Sequence, residues 1–332
     1  MYCHILFAPE PGNATESPEL QLNARDIARQ GFDVVCFQKV HGPSAIALAH
    51  ALRTEGVATV FLVCDTVNAA MCDATDVTAA VTDFLRNEYP PALQHKVCVV
   101  HDGIERPEIQ KSRTTPDRSK PLLDAVLVTS AHLTEVPVIG IPPAWLRVSI
   151  VGPYAANRLR RLREDCWTWQ RLHGWRERWS FLHFLFSRRI RRVTWSSSGV
   201  YDELVKADIG VIPVRTDALL HSTEAPAPRW KKKSENRLTL KMAIGLPVVA
   251  TPIPAYEAVV RQGVNGYLAT SRTSWLDALG ALRTPALRER IGIQAQKDVL
   301  ARFSMQAQAK ALAAAFRKAQ QTGTQLRIPK HE

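Results

Sequence analysis

Nowhere in this 332-residue chain do apolar residues run unbroken for the roughly 18 to 20 positions that a membrane-spanning helix needs. Cysteine is sparse and scattered. Its six positions, Cys3, Cys36, Cys64, Cys72, Cys98 and Cys166, include no C-x-x-C pair. That spacing excludes a zinc ribbon and a disulfide framework. Cys36, Cys64 and Cys98 sit in short apolar runs, where a thiol packs as a small hydrophobe, so a reducing compartment is expected. No basic segment with a cleavage site opens the chain, and residues 1–7 enter a strand-like run at once. The expectation is a cytoplasmic protein, soluble or peripheral at the inner face of the membrane. Acidic residues are in deficit, 31 against 43 lysines and arginines, leaving a net charge of +12. Such a surface suits anionic partners: nucleotide phosphates, anionic lipid or nucleic acid. With 46% hydrophobic and 22% charged residues, a disordered chain is excluded.

What is present is an alternation of short apolar runs with helical periods, over a length suited to two α/β domains. In the first third, strands are expected at 5–8, 33–37, 59–63 and 96–100, and helices at 20–30, 44–55 and 77–87. A polar stretch at 105–120 carrying Pro107 and Pro116 reads as a linker. A second series follows, with strands at 125–129, 147–151, 192–195, 209–213, 247–251 and 267–269. Two helices, 285–302 and 304–320, close the chain. Alternation of this kind implies parallel sheets covered on both faces, with ligands beyond the carboxyl ends of the strands. The expected division is 1–118, 119–303, and a closing helix and tail at 304–332.

One segment stands apart. Residues 158–192 hold eleven arginines against Glu164, Asp165 and Glu177, with Trp167, Trp169, Trp175 and Trp179 among them. Leu159, Leu162, Cys166, Trp169 and Leu172 recur at helical steps. Two readings are open. The segment is a crossover helix that buries this stripe on the sheet beneath an arginine-rich polar face. Alternatively it lies on an anionic membrane with tryptophan at headgroup depth.

The most informative stretch is Lys231-Lys232-Lys233-Ser234-Glu235-Asn236-Arg237, leading into Leu238-Thr239-Leu240-Lys241-Met242-Ala243-Ile244-Gly245 and the run Leu246-Pro247-Val248-Val249-Ala250-Thr251. A helix over 236–244, ended by Gly245, is expected. A helix start preceded by lysines, with its amides exposed, is a ready anion site. Lys232, Lys233, Ser234 and Arg237 are the candidate phosphate ligands. Further along come Tyr256 and Glu257, then Asn265-Gly266-Tyr267-Leu268.

The order of these pieces resembles the C-terminal domain of retaining GT-B glycosyltransferases, in which a phosphate-binding loop and helix lead into M-A-x-G-x-P-V-V-A and an N-G-x-L hairpin. Tyr201 to Pro213 is similar to that family's helix-to-strand segment ending in A-D-x-x-x-x-P, and Val151-Gly152 to its V-G strand end. Lys233-Ser234-Glu235-Asn236-Arg237 is similar to a K-S-x-x-K variant of the loop, and His101-Asp102-Gly103-Ile104 to an N-G-I turn. The resemblance is concentrated between residues 201 and 268. It implies two Rossmann-like, doubly wound domains facing across a cleft, the N-terminal one reduced. It also implies metal-independent transfer of a sugar from a nucleoside-diphosphate sugar to a glycan or lipid-linked acceptor, with no other cofactor. Gly12, Asn13, Gly152, Tyr256 and Glu257 would line the donor site. Asp65 and His101 are the candidate acid and base on the acceptor side; a structural cap is an equal reading of Asp65. Where the common family form has two glutamates, this chain has Lys232 and Leu240. Leucine accepts no ribose hydrogen bonds, so a catalytically impaired nucleotide-sugar-binding homologue is the alternative. A nucleic-acid-binding protein is a weaker one, because no recognition motif is present. Asp73 and Asp76 alone do not make a metal site.

Overall fold

The parallel sheets that the alternation requires are both present. The computed structural model describes residues 3–8, 16–112, 121–129, 141–214, 216 and 227–325, with side chains up to 322. Two compact units divide the chain. The first holds Met1–Gly103, Pro226–Ser234 and Met305–Glu332; the second holds Ile104–Ala225 and Glu235–Ser304.

In the first unit, strands β1 (Val34–Gln38), β2 (Ala58–Val63), β3 (Val77–Ala80) and β4 (Val97–Val99) form a parallel sheet in sequential order. Helix α1 (Ala24–Arg29) precedes them, and between them run α2 (Pro43–Thr54), α3 (Ala69–Ala74), α4 (Asp83–Asn87) and a 3-10 turn at Pro91–Lys96. Local chemistry sets the helix starts. The Asn23 side chain caps α1 by accepting from the Arg25 and Asp26 amides, and Pro43 opens α2, where its fixed φ suits the first turn. Leu48, Leu52, Phe61, Met71 and Leu85 meet in the core between the sheet and these helices.

Two expectations fail here. Residues 5–8 form no strand, and Ile5 is 74% exposed. Residues 77–87 are not one helix: 77–80 form the strand β3, buried at every position, and only 83–87 turn helical. An alanine-rich run suits a helix by propensity, but burial on both faces of a sheet overrides it.

The second unit carries β5 (Leu123–Val128), β6 (Leu146–Gly152), β7 (Ile190–Thr194), β8 (Ile209–Ile212), β9 (Val248–Ala250) and β10 (Tyr267–Leu268). All are parallel, in the order β10-β9-β8-β5-β6-β7. Counted from β5, that order is the 3-2-1-4-5-6 of a dinucleotide-binding fold, whose switch point falls between β5 and β8. Its helices are α5 (Arg158–Arg171), α6 (Trp175–Phe186), α7 (Gly199–Lys206), α8 (Asn236–Ile244), α9 (Pro254–Glu257), α10 (Arg272–Ala281) and α11 (Pro285–Phe303).

The arginine- and tryptophan-rich segment forms the two helices α5 and α6, and α5 has no fully buried residue. The expected stripe does not go down as one: Trp169 and Leu172 pack on the core, while Leu159, Leu162 and Cys166 face solvent. The last helix, α12 (Met305–Gln325), belongs to the first unit. Its Ala315, Phe316 and Ala319 pack on Ala58, Val60 and Val77 of that sheet, and Lys318 Nζ donates to the His95 carbonyl at 2.6 Å.

Candidate functional site

Helix α8 runs antiparallel to β8 and β9, so its N-terminus stands at the carboxyl edge of the second sheet. The preceding turn is closed by Lys231 N–H donating to Pro228 O at 2.9 Å and Lys232 N–H to Arg229 O at 3.2 Å. Lys232, Lys233 and Ser234 are half-buried. Glu235 occupies the N-cap, its carbonyl accepting from the Leu238 and Thr239 amides at 2.8 and 2.9 Å. Arg237, also half-buried, lies in the first turn, whose leading amides have no acceptor within the helix. The helix ends at Gly245 with φ 93°, a left-handed cap that glycine takes without a Cβ penalty. A helix start of this composition attracts an anion through its partial positive charge, its amides and its cationic side chains.

Two neighbours on α8 define what the helix can do. Leu240 is half-buried and packs against the cluster that holds Val126, Val200, Leu204 and Ile244. The position where the resembling family carries a glutamate therefore contributes to the core here. Lys241 is completely buried, and Nζ donates to the Arg237 carbonyl at 3.1 Å. Burial, and secondarily the Arg237 charge, push this ammonium down to about 7. Gly210 of β8 makes room for it: a Cβ there would come within 2.8 Å of Lys241 Cδ. The composition of 236–244 does not announce this lysine. The signal is its spacing, since positions 238, 241, 242 and 245 share one helix face.

Of the other donor-side residues, Tyr256 is buried at the start of α9. Burial pushes its hydroxyl up to about 12, with Glu235 adding to the rise and Arg237 opposing it. Glu257 is exposed on the next position. Gly152 ends β6 and is buried, its carbonyl accepting from Tyr154 N–H and Trp195 N–H, both at 2.8 Å. A Cβ there would come within 2.9 Å of the Thr129 carbonyl oxygen, so the glycine is required for close approach. Gly12 and Asn13 lie outside the described residues. Asn265 is a scaffold residue. It accepts from Arg261 N–H at 2.7 Å and donates to Val259 O at 3.1 Å and to Asp298 at 2.8 Å.

In the first unit, the carboxyl ends of the strands collect polar groups. Asp65 follows β2 and pairs with Lys39 Nζ at 3.3 Å. Lys39 follows β1 with φ 58°, the one positive φ outside glycine among the described residues. Burial works against the Lys39 charge, but Asp65 outweighs it and holds the ammonium above the ordinary lysine range. His101 follows β4. Its Nδ1 lies 3.0 Å from the Val81 carbonyl, so Nδ1 carries the proton and Nε2 is the acceptor in the neutral ring. The Gln308 side chain of α12 fixes the His101 backbone by accepting its N–H at 3.0 Å. Asp65 and His101 stand two strands apart, about 10 Å, and are not hydrogen-bonded to each other. Asp76 is structural: buried, it accepts from Thr59 N–H and Oγ1–H at 2.9 Å and pairs with Arg53. Among the described residues, no three His, Cys, Asp or Glu are grouped to hold a metal ion, and no helix is long and apolar enough to cross a membrane.

Solved structures share this architecture. HepE from Anabaena in complex with UDP superposes with a TM-score of 0.60 at 13% identity, over 89% of this chain and 81% of that one. A glycosyltransferase from Rickettsia africae gives 0.62 at 10% identity, over 89% and 79%. The lipopolysaccharide outer core galactosyltransferase WaaB gives 0.56 at 11%, over 89% and 77%. These likenesses, with the two parallel sheets, establish the GT-B fold. No protein-family model and no curated protein sequence matches the chain.

Proposed function

We propose that the chain is a glycosyltransferase that moves a sugar from a nucleoside-diphosphate sugar to a glycan or lipid-linked acceptor. The carrying observation is the start of α8: a helix N-terminus at the carboxyl edge of a Rossmann-ordered sheet, led in by Lys232, Lys233 and Ser234 and holding Arg237 in its first turn. Structural neighbours of the same fold support the donor class, since HepE has been solved with UDP and with UDP-glucose.

In this reading the bond from the sugar's anomeric carbon to the diphosphate oxygen breaks, and the diphosphate leaves with the electron pair. Lys233, Arg237 and the α8 amides neutralise the charge that builds there, with Ser234 donating a hydrogen bond. Such preorganised stabilisation is usually the largest contribution to rate. Fixed cations in this role make the transfer metal-independent. The acceptor hydroxyl forms the new bond, with retention at the anomeric carbon as the family likeness implies, and gives up its proton. His101, with Nδ1 committed to the Val81 carbonyl, presents Nε2 as the proton acceptor on the acceptor side. Asp65, already paired with Lys39, holds the adjoining strand end in place.

The test is a thermal-shift panel of UDP, GDP, dTDP and ADP with their sugars. One base should stabilise selectively, by about 3 kcal/mol at a hundredfold excess over Kd. Lys233→Ala and Arg237→Ala should each remove the shift. No shift with any nucleotide would refute the reading. Leu240 favours one second reading, a homologue that binds the donor without turning it over. Selective stabilisation with neither hydrolysis nor transfer of a labelled sugar would establish it.

A further inference from the structure

Helix α5 leaves large apolar side chains in solvent as well as against the core. Its half-buried face mixes Glu164, Asp165 and Thr168 with Trp169 and Leu172, which pack on the core. Asp165 pairs with Arg192 at 2.6 Å and Thr168 Oγ1 donates to the Glu164 carbonyl at 2.9 Å. Its outward face carries Leu159, at 78% exposed, with Leu162 and Trp167. Helix α6 repeats the pattern with an apolar ridge. Phe181 and Phe184 go into the core, while Trp175, Trp179 and Phe186, at steps of four and seven residues, stand 75%, 60% and 79% exposed.

Large apolar side chains held outward on two consecutive helices are unfavourable in water and mark a surface that is covered by something. Its charge says by what. Arg158, Arg160, Arg163, Arg171, Arg176 and Arg178 are exposed on the same two helices, against exposed Glu177 and Glu164, which pairs with Arg160 at 3.5 Å. The Arg171 guanidinium lies 4.3 Å from the Trp167 ring, and that of Arg178 lies 5.4 Å from Trp169. Two copies of so cationic a face repel each other. A nucleic acid would use the arginines and could stack on the tryptophans, but it gives Leu159, Leu162 and Phe186 nothing to bury against. An anionic bilayer takes all three kinds of side chain at their own depths: arginine at the phosphates, tryptophan at the headgroups, leucine and phenylalanine at the acyl boundary.

We propose that the outward faces of α5 and α6 dock the protein on an anionic lipid surface. The proposal stands independently of the transferase reading. If both hold, the docking brings a lipid-linked acceptor within reach of the enzyme.

The test is co-sedimentation of the full chain with vesicles of phosphatidylcholine, with and without about one-third phosphatidylglycerol. Partitioning should favour the anionic vesicles by tenfold or more and weaken as salt rises. The triple variant Trp175→Ala, Trp179→Ala, Phe186→Ala should lose about tenfold or more. Its thermal unfolding should be unchanged, because those side chains are exposed. Arg176→Ser and Arg178→Ser should each cost about fivefold. Equal partitioning by the triple variant, or none by the parent, overturns the proposal. So does tight binding of duplex DNA or single-stranded RNA that the same variant loses. A parent dimer that becomes monomeric in the triple variant, seen by sedimentation velocity, overturns it as well. Vesicle binding by a chain that no nucleotide stabilises would support the docking and count against the transferase alone.

Discussion

Replacing Lys241 by methionine should make the protein more stable, and by an amount that depends on pH. The ammonium is fully buried between α8 and β8, and its environment lowers it from 10.5 to about 7. Between those values the unfolded chain holds a proton that the folded chain has released, so stability rises as pH climbs through that window. Each tenfold loss of proton affinity corresponds to about 1.4 kcal/mol, so the lysine costs the fold about 4 kcal/mol at neutral pH. The bond to the Arg237 carbonyl returns about 1 kcal/mol. Methionine is close in length and flexible enough to fill the same space beside Gly210. Lys241→Met should therefore gain about 3 kcal/mol near pH 7, and the gain should fall to almost nothing near pH 10. Urea unfolding followed by tryptophan fluorescence is the assay, because seven of the eight tryptophans lie in the second unit, Trp230 being the exception. A variant less stable than the parent near neutral pH, or a difference that does not change with pH, would refute the argument.

Further outcomes follow from the same geometry. Gly292→Ala should destabilise by about 3 kcal/mol, the upper range for overpacking, because its Cβ would overlap the Gly245 carbonyl oxygen where α11 crosses α8; calorimetry measures it. Asp298 feels burial raising its pKa, but hydrogen bonds from Arg261, Asn265 and Gln294 outweigh it and hold the carboxyl below the usual range. Its contribution is thus present above the ordinary carboxylate range and lost as pH falls through the lowered value, so Asp298→Asn should flatten the acid limb of the unfolding curve. Lys233→Ala or Arg237→Ala should lower transfer by about 10²- to 10³-fold in single-turnover kinetics. His101→Gln should reduce the rate at saturating donor by about 10²-fold or more, measured under single-turnover conditions.

Much of the second unit was legible in advance because its strands are short β-branched runs bounded by glycine and proline. Helix α8 was placed to the residue by Gly245 at one end and the change from polar loop to apolar period at the other. Elsewhere the pattern was ambiguous. Val77-Thr78-Ala79-Ala80 fits a helix or a strand, and pairing with β2 and β4 decides it. The spacing of Leu159, Leu162 and Cys166 identified a stripe, but periodicity cannot say which side of a helix meets the protein. The two residues that most alter the reading of the site, Leu240 half-buried against the core and Lys241 buried whole, depend on packing with α7, β5 and β8 that lie far off in the chain.

The packing of α12 on β2 and β3 carries a consequence for synthesis. The apolar face formed by Ala58, Val60 and Val77 is sealed by residues 315–319, which are made long after the strands they cover. The second unit can be complete while that face is still bare, so the first sheet is finished only once α12 has been made. A nascent chain stalled before residue 305 should accordingly recruit holdase chaperones, and a fragment ending at Gly103 should aggregate when expressed by itself.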